Sequence, residues 1–534
     1  MTKLSLRPVR RALTPPSTEV VAGIIVFLAA AYFIMSGVLW NSETHIYLTA
    51  SLVDRGSVNI DPFARFTGDI AYAHGHYFAD KAPGLSIAAI PIYWLYKLLF
   101  MHGEPLAVFL THKPPKSLPG AQIMMLRYTL SVFLSAIPTA IVSGLLVSLA
   151  RKIGATRWWA LAIGLIYGLG TIAHAFATLF FSHQLSAVLG FGAFYLVYHV
   201  RHGLLARGYL VLAGFLLGYA IVTEHTMAIV ALSVGVYAIA GARRWLGDTA
   251  KIMAGAIPAL SLELIYNTLA FGSPFSLGYS NLAGPTVFRE GQSHGFFGIT
   301  MPTIEAAWGI TFSPYRGLFF LSPVLLLAIP ALVMLARRRE WQAESLVCAI
   351  VSVSYLLLNM SYFAWDGGFS MGPRHVLPAV PFMVLPLAEL TRRVHHVAWA
   401  RITAVVGMWS ILVVGVSVAV RPLFDQRFSS PLTQLVVPSV CGIRVRPEIT
   451  STLTPGQLAQ TCNAVAPYYV TARFGTNWGA RLGLPGVMQL IPLAIVLMVV
   501  AVWYLWGLSD EARERTYVAV EVSSVESLMS VSAV

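Results

Sequence analysis

The stretch "HGHYFADKAPGLSIAAIPIYW", residues 74–94, sets an Asp-Lys pair, Asp80 and Lys81, against a Pro-Gly break and then a nearly unbroken apolar run. A chain that only had to cross a bilayer would keep such charges away from that edge, because ionised groups beside hydrocarbon are costly and mark function where they persist. The rest of the chain is no less apolar. Of its 534 residues 57% are hydrophobic and 11% charged, with a mean hydropathy of +0.70, whereas a soluble domain carries about 25% charged residues. The composition predicts an all-α polytopic membrane protein, with no soluble domain of ordinary size between its apolar runs.

The formal charge of +13 does not point to nucleic acid, because the basic residues are scattered over short loops between apolar segments. That is how a membrane protein sets its orientation. Segments long enough to span, about 17–25 residues each, fall near 20–40, 122–150, 158–176, 184–200, 208–224, 226–242, 251–270, 317–336, 343–362, 375–391, 402–420 and 485–507. Residues 84–102 are a thirteenth candidate, short and interrupted by Pro91 and Lys97. The clusters Arg151/Lys152/Arg157, Arg201/Arg207, Arg243/Arg244/Lys251, Arg337–Arg339 and Arg392/Arg393/Arg401, with the N-terminal Lys3, Arg7, Arg10 and Arg11, share one side only if 84–102 does not cross. It is therefore read as a re-entrant or interface-lying helix, giving about twelve spans and both termini in the cytoplasm. The basic N-terminal tail precedes an uncleaved first helix, since no small-residue cleavage site follows it. The tail 508–534 reads as flexible.

On this topology the outer face holds loops 41–121, 271–316, 363–374 and 421–484, and most of the unusual polar residues with them. The first loop opens with "NSETHIYLTASLVDRGSVNIDPF", an amphipathic stretch carrying Glu43, Tyr47 and Asp54 that Gly56 should stop. Asp69 in "TGDIAY", His74, His76 and the Asp80-Lys81 pair follow. An acid just outside a span can serve as a general base; equally, these acids can balance Arg55 and Arg65. Lys81 sits at headgroup depth, where an ammonium either snorkels as an anchor or holds a phosphate as a compact charge. Arg127 brackets the same interface helix from the next span, which favours the phosphate. His183 in "FSHQ", Glu224 and His225 in "TEH", Arg316 in "FSPYRG", and Trp365, Asp366, Arg374 and His375 in "YFAWDGGFSMGPRH" also gather on the outer side.

Several chemistries lack their signatures. Fourteen histidines occur without an HExxH or a paired-Cys spacing, His395 and His396 fall on the cytoplasmic side, and only His74 and His76 with Asp69 suggest a metal. There is no Walker A loop and no inverted repeat of the kind that marks secondary transporters. Of three cysteines, Cys348 lies within a span, while Cys441 and Cys462 share one outer loop and are either a disulfide or two unrelated thiols.

Three tracts, "GHYFADKAPG" at 75–84, "FSPYRG" at 312–317 and "WDGGFSMGPR" at 365–374, with the acid-bearing segment after the first span and Arg127 in the next, resemble the GT-C membrane glycosyltransferases. The likeness covers most of residues 20–400. Within that superfamily the chain is similar to the branch of protein O-mannosyltransferases and the lipid A aminoarabinose transferase. It is closer still to uncharacterised bacterial members carrying all three tracts. The resemblance implies a GT-C-type fold with interface helices in the first outer loop, and a bacterial plasma-membrane enzyme whose site faces the periplasm or exterior. It further implies inverting transfer of a sugar from a polyprenyl-phosphate donor to a lipid, glycan or protein hydroxyl. Lys81 would contact the phosphate, aided by Arg127, Arg316 and Arg374. Asp80, His76, His183, Glu224, His225, Trp365, Asp366 and His375 would surround the substrate. Relatives have Asp-Glu just after the first span, where this chain reads "NSE" at 41–43, so the base is either Glu43 or Asp69. No cofactor is implied with certainty; three acids in one loop leave room for a divalent metal.

In domain terms, 1–420 is the transmembrane module, 421–484 an outer loop on the acceptor side with Tyr468, Tyr469, Arg473 and Trp478 as candidate contacts, and 485–534 a last helix and tail. Two other classes compete: a glycolipid transporter or flippase, which would string charges through its spans as Glu224 and Glu263 do, and a non-catalytic lipid-binding protein.

Overall fold

The computed structural model describes residues 16–35, 39–111, 118–392, 397–452, 454, 456–457 and 471–508. The N-terminal basic residues, Arg393, His395, His396, Cys462, Tyr468, Tyr469 and the tail from 509 lie outside them.

The fold is helical, with one two-stranded sheet among the described residues. Helices Ile123–Ile153, Trp245–Phe271, Arg339–Met360, Val397–Val420 and Gly486–Leu508 are long and apolar enough to cross a membrane. Shorter apolar helices include α1 (Thr18–Ala31), Tyr209–Thr223 and His225–Ile239. The expected spans are not all single helices. Residues 375–391 form a 3-10 turn, Arg374–Ala379, and two short helices, Val380–Val384 and Leu387–Leu390. Pro378, Pro381 and Pro386 cause this, since proline removes a backbone donor and clashes with the preceding turn. The broken segment is buried in the largest core cluster. Likewise 158–176 stops at Gly170 before a separate turn, Ala173–Ala177, and 317–336 breaks at Ser322-Pro323.

Ends of elements sort by charge. Arg338 donates to the Ile153 carbonyl at 2.8 Å and to Glu389 at 2.7 Å, and Arg392 joins the same carboxylate at 2.9 Å. His202 meets Glu344 at 3.1 Å, and Arg207 meets Asp248 at 2.6 Å. The helix that ends at Arg201 starts at Ser182, and the one that follows Arg207 ends at Thr223. The basic ends therefore lie opposite Ser182, His183 and Glu224.

Residues 40–100 contain two α-helices and a hairpin that position the site. Helix α2 (Trp40–Arg55) ends where expected, at Gly56, whose φ of 61° is the left-handed conformation that glycine adopts without penalty. It is no surface helix: residues 41–51 are all buried, and Tyr47 stacks on Phe63 at 4.7 Å. Burial of side chains such as Ile46 and Leu48 contributes about 1.5–3 kcal/mol each. Strands β1 (Ile70–Ala73) and β2 (His76–Ala79) pair antiparallel, Ile70 with Ala79 and Ala73 with His76. The two-residue turn between them, His74-Gly75, has φ values of 51° and 83°, which suits the right-handed twist of a hairpin. This register sets Asp69 against Asp80 at the open end of the hairpin.

Helix α3 (Gly84–Phe100) starts after Pro83. Its first turn is buried, whereas Trp94, Leu95, Leu98, Leu99 and Phe100 are exposed. A Cβ on Gly84 would lie 2.6 Å from the Val222 carbonyl oxygen and 2.7 Å from the Thr223 nitrogen. Tyr219 also donates to the Gly84 carbonyl at 2.8 Å. Gly84→Ala is expected to force α3 off this helix and cost about 1–3 kcal/mol, read as a lower Tm in lipid.

Candidate active site

The hairpin end, α2 and residues from 182–183, 223–225, 279–292 and 362–375 enclose a cleft of about 900 Å³, counted to its open mouth. Lys81 is its central charge. Its Nζ lies 2.7 Å from Asp80 Oδ2 and 3.3 Å from Asp69 Oδ2, and 5.8 Å above the Tyr279 ring. Burial disfavours the ammonium, but Asp69 and Asp80 outweigh that and hold it well above its ordinary pKa. Asp80 is the most enclosed of the three, with its side chain 5% exposed and Oδ1 unpartnered. Burial pushes its carboxyl up to about 6 against the pull of Lys81. Beneath them His45 bonds Ser86 at 3.1 Å, and burial drives its pKa down to about 3.

The opposite wall is made by ends of helices. Glu224 caps Tyr209–Thr223 in an extended conformation. It accepts from Ser182 Oγ at 2.8 Å and lies 3.1 Å from His183 Nδ1. The His375 ring meets His183 edge-on at 5.4 Å and Tyr362 at 5.3 Å. His225 is bonded to Glu263, so this acid within a span is an internal partner of the cleft wall. Arg374 also lines the cleft, its guanidinium 5.7 Å from the Phe181 ring centroid and its Nε buried without a partner.

The structure thus brings Asp69, Asp80, Lys81, His183, Glu224, His225, Arg374 and His375 to one cleft, and leaves six other expected residues out of its lining. Glu43 and Arg127, expected as base and phosphate ligand, are bonded to each other in the interior. Their side chains are only 2% and 5% exposed, so neither reaches a ligand without breaking that pair. Arg316 is fully buried and donates to the carbonyls of Gly368 at 2.9 Å and Phe424 at 3.3 Å. These bonds tie the 363–374 loop to 421–428. Trp365 packs on Gly309, where a Cβ would meet its ring at 2.2 Å, and Asp366 accepts from Tyr315 at 3.0 Å. His76 faces away, 2.7 Å from Asp61. Between the last two long helices, Arg473 donates to the Gly442 carbonyl and Trp478 to that of Ala31.

Among the described residues no three His, Cys, Asp or Glu side chains converge to hold a metal ion, and His74, His76 and Asp69 are not gathered. Cys348 is free and buried; Cys441 is disulfide-bonded, and the other position considered for that bridge, Cys462, lies outside the described residues.

Lining residues beyond the predicted set include Asn41, Tyr279, Arg289, Gln292 and Tyr362. Asn41 carries an unpartnered buried Oδ1. Of the "NSE" residues it alone faces the cleft, since Ser42 donates to the Phe180 carbonyl and Glu43 holds Arg127. A Cβ on Gly278 would lie 2.7 Å from the Asp80 carbonyl oxygen. Tyr279 can therefore lean over Lys81 only because a glycine precedes it.

No family model matches the chain, and no curated protein does. Solved structures similar to it include two of one protein. The crystal structure of ArnT from Cupriavidus metallidurans bound to undecaprenyl phosphate aligns at 14% identity with a TM-score of 0.44, over 92% of this chain and 74% of that one. The same protein in the apo state aligns at 14% identity and a TM-score of 0.45, with the same coverage.

Proposed function

We propose that the protein is an inverting glycosyltransferase that moves a sugar from a polyprenyl-phosphate donor to an acceptor hydroxyl. The observation that carries this reading is Lys81, an enclosed ammonium between two carboxylates at the head of a helix whose far half is exposed and apolar. A lipid phosphate has the same division, one charged end on a long apolar tail. Its phosphate would rest on Lys81 and Arg374, and its chain on the Trp94–Phe100 face of α3. The wall of His183, Glu224, Tyr362 and His375 supplies donors and acceptors for the sugar. Residues 421–484 would border the acceptor. With the basic ends of the helices in the cytoplasm, the cleft opens to the periplasm or exterior.

The step needs little beyond position and charge. Asp69 accepts the proton of the acceptor hydroxyl as that oxygen bonds to the anomeric carbon. The bond from that carbon to the phosphate oxygen breaks on the opposite face, and its electron pair leaves with the lipid phosphate. Lys81 and Arg374 neutralise the charge that develops there, held in position by the fold before the reaction begins. Asp69 releases its proton to solvent.

Asp80 gives the site a pH dependence. As an anion it competes with the donor for Lys81; protonated, it does not. Because its carboxyl titrates near 6, a polyprenyl-phosphate sugar, a diester with no titration of its own in this range, should bind tighter at pH 5 than at pH 7. Equilibrium binding of a labelled donor checks this, and Asp80→Asn should flatten the profile at the tighter value. A profile that is unchanged in Asp80→Asn, or one that weakens toward pH 5, contradicts the role of Asp80.

A further inference from the structure

A second cavity lies away from the cleft. It is a furrow of about 890 Å³, counted to its open side, between α1, residues 128–133 and the C-terminal helix Gly486–Leu508. Phe27, Leu28, Val132, Phe133, Leu493 and Val496 make its apolar walls. Its polar groups collect at the end nearer the cleft. Trp478 Nε1 donates to the Tyr128 hydroxyl at 3.0 Å, that hydroxyl donates to the Ala31 carbonyl at 2.7 Å, and the Tyr32 hydroxyl is bonded to the Gln489 carbonyl. Aromatic side chains with an apolar body and one polar end belong at the boundary between hydrocarbon and headgroups.

Just beyond that rim stands Arg481. It lies three residues after Trp478 on the short helix Trp478–Arg481 and is exposed. Its guanidinium is 3.6 Å from Met124 Sδ. Met124 lies four residues before Tyr128 in one helix, hence on the same face one turn outward. Among the described residues Arg481 forms no ion pair with a carboxylate. The furrow follows α1 from Phe27 to Tyr32, a depth of about 8 Å, roughly half of one leaflet's hydrocarbon. The Phe27 ring also borders a separate groove beside the first half of α1. That length suits the upper part of an acyl chain and is short for an isoprenoid of many units.

We propose that the furrow seats one acyl chain of an anionic phospholipid from the leaflet on the cleft side, with its phosphate on Arg481. The lipid would clasp the end of the last outer segment onto the first span. The backbone already joins them there, through Ile34 N to the Thr476 carbonyl at 2.8 Å and Trp478 N to that of Tyr32 at 3.2 Å.

The test uses the full chain, purified in detergent and stripped of lipid, with native mass spectrometry reading lipid retention and thermal unfolding reading stability. The probes are phosphatidylglycerol, phosphatidylcholine and undecaprenyl phosphate. Phosphatidylglycerol should be retained about fivefold more tightly than phosphatidylcholine, the gain expected from one arginine near an anionic headgroup, and should raise Tm more. Arg481→Ala, a change on the exposed surface, should remove that preference while leaving phosphatidylcholine retention intact. Val132→Trp, which fills the furrow, should lose both. A preference that survives Arg481→Ala, or retention unchanged in Val132→Trp, overturns the assignment. Undecaprenyl phosphate that displaces phosphatidylglycerol and is itself lost in Val132→Trp would make the furrow a polyprenyl seat instead. None of these outcomes depends on the cleft, so a failure here and a failure of the proposed transfer are separable.

Discussion

Lys81→Ala should weaken binding of a polyprenyl-phosphate donor by at least ~100-fold, about 3 kcal/mol, the cost of truncating one partner of an enclosed charge pair. The side chain is only 20% exposed and has two carboxylates within reach, so the substitution removes the positive centre on which Asp69 and Asp80 depend. Donor affinity measured with labelled lipid in nanodiscs reads the effect. Lys81→Arg keeps the charge but not the compact geometry, and should recover only part of the binding. If Lys81→Ala binds donor as the wild type does, the phosphate is held elsewhere.

The second large effect separates the two candidate bases. Asp69→Asn should lower turnover by about 10²–10⁴-fold, the range for loss of a positioned proton acceptor, while donor binding changes little. Glu43→Gln should behave in the opposite way. Its carboxylate holds the buried Arg127, and without that charge the pair breaks at a cost of about 3 kcal/mol. The expected signature is a lower Tm, with turnover per folded molecule close to wild type. Side-by-side thermal unfolding and turnover of the two variants check this. Loss of turnover in a well-folded Glu43→Gln protein would return the base to Glu43.

Why Asp69 and not Glu43 faces the cleft was only half legible in the sequence. The stop of α2 at Gly56, the helix after Pro83 and the one-sided basic clusters were readable, because each rests on local signals. The hairpin was not. Strands of four residues give too short an alternation to register, and the turn His74-Gly75 becomes decisive only once it sets Asp69 opposite Asp80. Glu43 and Arg127 are 84 residues apart, and charge alone cannot tell a buried pair from two ligands of a substrate. The same holds for Arg316: its "FSPYRG" tract draws attention to the residue, but the carbonyls it serves come from loops that a linear reading does not connect. Hydropathy measured the apolar run at 375–391 and missed its breaks, since proline alters backbone geometry without making the segment less apolar. Tyr279 was one tyrosine among many until its place over Lys81 was seen.

The most direct test of the transfer itself follows the sugar. Purified wild-type protein in lipid is given polyprenyl-phosphate donors labelled in their sugars, together with an envelope extract as the source of acceptor. Label should leave at least one donor, free polyprenyl phosphate should accumulate in equal amount, and Asp69→Asn should stop both. Donors that all bind in a Lys81-dependent way yet keep their label would contradict the account, leaving a protein that holds a lipid phosphate without transferring its sugar.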